Sequence, residues 1–168
     1  ILDGISGQLN HHPVYCPNRI VNSILGVKGS LYRQKNIAFS FDCRLPEPLS
    51  LSGVTLCSLF TNVLDNAYHA VQSGMPELRR IDLSAYLVNG FLLLTCQNPI
   101  PPGSQPKLER RRKAEDGTQH GLGLLILQTI AEQHKGTMEI QTANDIFQIR
   151  LLLQLPAPSA SPVPASIL

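Results

Sequence analysis

The stretch Leu56–Gln72, LCSLFTNVLDNAYHAVQ, constrains this chain more than any other. Leu56, Leu59, Phe60, Val63, Leu64, Ala67, Ala70 and Val71 recur at i, i+3, i+4, i+7 spacing, which predicts an amphipathic helix. At about 100° per residue these positions form one broad stripe that has to pack on a flat apolar surface. Asn62, Asn66 and His69 fall on a second, narrower stripe beside it. Asparagine favours caps and turns over helix interiors, so two of them one turn apart point to a ligand. Two solvated asparagines at the edge of the packed face would leave the same pattern.

The rest of the chain supplies the surface. Pro17 suits the first turn of a helix in which Ile20, Ile24, Val27 and Leu31 mark one face up to about Arg33. Ile37, Phe39, Phe41 and Cys43 alternate with polar or small residues as in a half-buried strand. The Pro-punctuated segment 44–52 ends in serines able to cap the central helix. After a turn over 74–80, Ile81, Leu83, Ala85 and Leu87 predict a second strand, and Asn89-Gly90 a hairpin. The near-continuous apolar run 91–97 reads as a central strand covered on both faces. Helical spacing resumes through Leu122, Leu125, Ile126, Ile130 and Ala131, and Lys135-Gly136 ends it with a cation and a terminal glycine. A closing hairpin surrounds Asn144-Asp145. The sum is an α+β fold: a two-layer α/β sandwich, with helices on one face of a mixed, largely antiparallel sheet.

Composition removes several classes of function. With 168 residues and 43% hydrophobic content the chain can bury a real core. No Trp and 5% aromatics leave few platforms for stacking bases, and a net charge of +2 favours no nucleic-acid partner. Four cysteines without a C-x-x-C pair argue against zinc and read as reduced thiols of a cytoplasmic protein, disulfides being the alternative. No apolar run reaches the ~18 residues of a membrane helix. A start at Ile1, with neither Met nor a signal core, reads as an excised piece of something longer.

Segment 98–119 is different in kind, with four prolines, two glycines and a basic run at 107–113. Loops this long inside a small domain are usually functional. The basic run reads first as solvated surface, then as part of a phosphate-grasping flap. It leads into His120-Gly121-Leu122-Gly123-Leu124, where glycines and a helix N-terminus suit phosphate oxygens. A plain turn before a packed helix has the same letters.

Order decides between these readings. Asn-x-x-x-Asn on a helix, two strands ending in Asn98, a long loop, G-x-G opening a helix and a closing hairpin follow one another. From about Val21 to Leu155 the sequence resembles the ATP-binding catalytic domain of sensor histidine kinases, a Bergerat-fold member of the GHKL class that also holds DNA gyrase and MutL. Within the kinases it is most similar to the quorum-sensing and dicarboxylate-sensing branch. Residues 60–67, FTNVLDNA, resemble the family's N box; Asn98-Pro99 resembles a shortened first glycine box, and residues 120–124 the second.

The resemblance implies ATP and Mg²⁺ as ligands. Asn66 would coordinate the metal, Asn62 would support the phosphates or the metal's water shell, and His69 would face the phosphates. Asn98 would lie near adenine. Gly121, Leu122 and Gly123 would wrap the triphosphate with backbone amides, with His120 beside them as a hinge residue or a ligand, under an ATP lid formed by 98–119. Hydrolysing members carry Glu where Asn62 stands, so phosphoryl transfer without hydrolysis is expected. The usual Asp-x-Gly-x-Gly adenine box is absent, and none of the five histidines is followed by an acid, so the phosphate-accepting histidine is expected upstream.

Residues 1–34 would close a dimerisation region and its connecting helix, 35–156 would be the catalytic domain and 157–168 a flexible tail. The partners implied are the protein's own phosphoacceptor helix, a response regulator and a second copy in the full-length protein. It would be the cytoplasmic domain of a bacterial protein anchored to the membrane only through its missing N-terminal region. The alternatives are a degenerate nucleotide-binding or protein-interaction module, an anti-sigma-type serine kinase domain and, more remotely, a gyrase-like ATPase.

Overall fold

Two tight turns organise the sheet. Asn89 and Gly90 have φ of 51° and 82°, and Asn144 and Asp145 have φ of 52° and 59°. Paired positive φ values mark two-residue turns whose twist matches that of the flanking strands. In the computed structural model, which describes residues 13–72, 74–103 and 122–156, these turns close the hairpins predicted from the sequence. The elements run α1 (Arg19–Gln34), β1 (Ala38–Arg44), α2 (Gly53–Gln72), a short 3₁₀ turn at Pro76–Leu78, β2 (Arg80–Val88), β3 (Phe91–Pro99), α3 (Leu122–Gln133), β4 (Thr137–Ala143) and β5 (Ile146–Gln154).

The five strands lie in the order β1-β2-β3-β5-β4, with β1 and β2 parallel and every other pair antiparallel. Ile81, Leu83 and Ala85 of β2, Leu92, Leu94 and Cys96 of β3, and Phe147, Ile149, Leu151 and Leu153 of β5 are buried on one side. Against them lie Leu56, Leu59, Phe60, Val63, Leu64, Ala67 and Val71 of α2, the stripe read from the sequence. Ser52 caps α2, its hydroxyl accepting from the Thr55 amide at 3.0 Å.

Several local expectations need correction. Asn18, not Pro17, opens α1: its side chain accepts from the Val21 amide and donates to the Pro46 carbonyl, and it is 2% exposed. The fully buried residues of α1 are Val21, Leu25 and Tyr32, one residue round from the predicted stripe, of which Ile20, Ile24 and Leu31 are half-buried against the same core and Val27 is 70% exposed. The ambiguity arose because apolar side chains cover both adjacent faces of this helix. In α3 the buried residues are Leu127, Ile130 and Ala131, whereas Leu122 and Leu125 face outward at its start. β3 is central, but among the described residues the helices cover one of its faces, and the other, with Phe91, Leu93, Thr95 and Gln97, is half-buried.

The end of α3 also differs. Lys135, not Gly136, takes the left-handed conformation (φ 47°). Its amide bonds to Glu132 O and that of Gly136 to Ala131 O, the paired bonds of a Schellman ending. Gly136 is needed for space instead, since a Cβ there would sit 1.8 Å from Leu152 O.

All four cysteines are free, and only Cys57 is exposed. Burial pushes the thiols of Cys43 and Cys96 up to about 12, so neither forms the reactive thiolate near neutrality. A chromogenic disulfide reagent at pH 8 is expected to label Cys57 rapidly and the other three only on unfolding. Fast labelling of a second thiol in the native protein would contradict this packing.

Candidate functional site

α2 packs against both α1 and α3, and Asn62 of its polar stripe falls on the flank that meets α3. Asn62 is half-buried there, its side-chain nitrogen donating to the Ser58 carbonyl at 2.7 Å and approaching the Ser58 hydroxyl at 3.4 Å. Those bonds orient the amide and turn its oxygen toward α3. A Cβ built on Gly123 would stand 3.2 Å from Asn62 Oδ1, so the first turn of α3 approaches the amide closely enough that any larger residue would press it aside by a few tenths of an ångström. Leu122, the first residue of that helix, is 43% exposed.

Asn66 follows one turn along α2 and is half-buried; among the described residues no hydrogen bond engages its side chain. His69 is exposed one turn further on, its ring edge-on to Tyr68 with centroids 5.6 Å apart. Asn98 occupies the end of β3 on the helix-facing side, opposite Phe147 of β5. It is 2% exposed, and its side-chain nitrogen donates to Pro99 O at 3.0 Å. His120 and Gly121 lie outside the described residues, as does most of segment 98–119.

The structure thus brings Asn62 and Gly123 together across the α2–α3 seam. Ser58 and Asp145 also shape the site, and neither stood out in the sequence. Ser58 fixes the Asn62 amide. Asp145 accepts from the Ile100 amide through its backbone carbonyl at 2.9 Å and from the Gly103 amide through its carboxylate at 3.3 Å, tethering the chain where it leaves β3. A short polar residue in a hairpin turn carries no sequence mark of such a bond.

Chemically, the seam joins neutral oxygen acceptors to a helix start. The first turn of a helix leaves amide N–H groups unpaired and a partial positive charge, which suits anions. Amide oxygens are hard, uncharged donors of the kind that Mg²⁺ accepts alongside phosphate oxygens.

Comparison with known proteins bears on the family and the fold. The chain is 28% identical over 142 residues to the Sensor histidine kinase HprS of Escherichia coli K12, covering 80% of this chain and 30% of that protein. It is 32% identical over 141 residues to the Nitrogen regulation protein NtrY of Azorhizobium caulinodans, covering 75% of this chain and 18% of that protein. The chain therefore spans less than a third of the length of these relatives. Among solved structures, a nucleotide-free catalytic domain of the histidine kinase ThkA superposes with TM-score 0.64 at 18% identity, over 82% of this chain and 91% of that one. The Acinetobacter baumannii histidine kinase AdeS does so with TM-score 0.58 at 16% identity, over 82% and 64%. These likenesses establish a shared fold. The family profile described as the GHKL domain matches residues 51–154, which take in α2, the whole seam and every strand from β2 onward, and the chain belongs to that family.

Proposed function

We propose that this chain is the ATP- and Mg²⁺-binding catalytic domain of a bacterial sensor histidine kinase. It would present the γ-phosphoryl group to a histidine carried elsewhere in the protein, for relay to a response regulator. The observation that carries the reading is the close approach of Gly123 to the oriented Asn62 amide, with Asn66 one turn away. Such an arrangement fits a triphosphate lying along the start of α3 with its metal against α2. When bound, Mg·ATP supplies the transferable group and the charge that neutralises its oxygens. The residues do the rest. Asn66 would hold the metal through its amide oxygen, Asn62 would orient phosphate or metal-bound water, and the amides around Gly123 would face phosphate oxygens. Asn98 would stand beside adenine, and His69 and His120 nearer the phosphates.

Asn62 also bears on the kind of chemistry. An amide accepts no proton near neutral pH, so nothing at that position activates water, and catalysis reduces to positioning and charge stabilisation. The likeness of Asn98-Pro99 to a shortened first glycine box supports the quorum-sensing and dicarboxylate-sensing branch, whereas the missing Asp-x-Gly-x-Gly box is the feature that favours a degenerate module. No described helix is long and apolar enough to cross a membrane. Anchoring, dimerisation and the phosphoacceptor helix would belong to other parts of the full-length protein.

Titration calorimetry with a non-hydrolysable ATP analogue, with and without Mg²⁺, is the direct test. Metal-dependent binding without ATP hydrolysis by the domain alone is expected. A folded protein that ignores millimolar analogue would overturn the reading, and brisk hydrolysis would favour the gyrase-like alternative. Gly123→Ala gives a sharper check. The added methyl would stand 3.2 Å from Asn62 Oδ1, a contact relieved by a shift of a few tenths of an ångström, so the variant should still fold, as a thermal melt would check. Analogue affinity should nevertheless fall severalfold as the new methyl displaces Asn62 Oδ1. Unchanged affinity would show that the seam is not the site.

A further inference from the structure

α2 is held from both sides at the same turn. On the α3 flank Gly123 meets Asn62. On the α1 flank the Tyr32 hydroxyl donates to Leu64 O at 3.0 Å, and the Lys28 ammonium pairs with the Asp65 carboxylate. The Lys28 side chain is only 15% exposed and that of Asp65 is 40% exposed. Tyr32 also stacks on Tyr68 with centroids 5.6 Å apart, closing the same flank one turn later.

Asp65 is the one acid in α2, three residues after Asn62 and immediately before Asn66. Residues three apart on a helix share one surface region, so the Asp65 charge lies within a turn of both asparagines although its carboxylate turns to the α1 flank. A negative charge there works against a polyanionic ligand and in favour of a bare cation. The Asp65 side chain is 40% exposed, so solvent and salt screen part of this effect. Lys28 cancels that charge and draws the carboxylate toward α1, away from the seam.

We infer that Lys28 is a positioning residue for the nucleotide site: by pairing with Asp65 it neutralises the acid beside the two asparagines and keeps the field at the α2–α3 seam favourable to a triphosphate. The inference rests on the nucleotide-binding reading above. It assigns Lys28 no contact with ligand; the residue acts through Asp65.

A structural brace and a charge partner make different predictions. Loss of a brace weakens every ligand, whereas loss of a charge partner moves anionic and cationic ligands in opposite directions. The test compares the wild-type domain with Lys28→Met, Asp65→Asn and the double variant. Two probes are used: a non-hydrolysable ATP analogue with Mg²⁺ by calorimetry, and Mn²⁺ alone by electron paramagnetic resonance.

For Lys28→Met, analogue affinity should fall roughly three- to tenfold and Mn²⁺ affinity should rise about threefold, both shrinking in high salt. Adding Asp65→Asn should return both to within about twofold of wild type, and Asp65→Asn alone, which leaves the Lys28 cation unpaired, should bind the analogue at least as well as wild type and Mn²⁺ no better. Loss of both affinities in Lys28→Met, a double variant as impaired as the single, or wild-type behaviour of Lys28→Met would overturn the inference. Should Lys28→Met fail to fold, Asp65→Asn still decides, since a brace requires that it lose affinity. A wild-type domain that binds no analogue would instead bring down the functional reading itself, and this inference with it.

Discussion

Gly136→Ala is expected to leave little folded protein. The added methyl would stand 1.8 Å from Leu152 O, 2.8 Å from Leu152 C and 3.0 Å from Leu153 Cα, all backbone atoms of β5. No side-chain rotation relieves such a clash, so either β4 and β5 part or the end of α3 moves. Both routes are costly. β5 is interior to the sheet, bonded to β3 and β4, and Leu151 and Leu153 are fully buried beneath the helices. A cost above ~4–5 kcal/mol follows, at the far end of what single substitutions do. Domains of this kind have about 5–15 kcal/mol in total. Circular dichroism melts should show a lost or strongly lowered transition, and soluble yield should drop. A variant melting within a few degrees of wild type would mean that the α3–β4 junction is placed differently.

The largest functional loss is expected from Asn66→Ala. Alanine is the better helix former and Asn66 is only half-buried, so the melting temperature should hold or rise slightly. Affinity for an ATP analogue with Mg²⁺ should fall by at least roughly 10–100-fold, while the much weaker metal-free binding stays near its wild-type value. This split separates a metal ligand from a packing residue, because a damaged fold would weaken both. Equal loss with and without Mg²⁺ would remove Asn66 from the metal's coordination, and unchanged binding would remove it from the site.

The central helix was legible because its pattern admits one solution. Its apolar positions from Leu56 to Val71 fill a single stripe, and the asparagines break the rule beside it. Both hairpins were legible for a similar reason, as Asn89-Gly90 and Asn144-Asp145 tolerate the positive φ that other residues resist. α1 was legible in part: Ile20, Ile24 and Leu31 do pack half-buried against the core, but Val21, Leu25 and Tyr32 lie deeper, and periodicity cannot rank two adjoining apolar stripes. Only tertiary partners decide, here Leu64 O for Tyr32 and Asp65 for Lys28. α3 misled in the same way: its outward Leu122 and Leu125 look like core in a string of letters. Gly136 shows a further limit. A glycine kept free of a methyl by a strand sixteen places later looks like any helix-ending glycine.

The alternation along β3 has one consequence for the amide at its end. Leu92, Leu94, Cys96 and Asn98 point the same way, and the first three are sealed under the helices. Sliding the strand by a single residue would drive Leu93, Thr95 and Gln97 into the hydrocarbon layer and strand three greasy groups in water. Asn98 therefore owes its address to the Asn89-Gly90 reversal at the opposite tip of the hairpin, which sets the count from which every later residue of the strand takes its side.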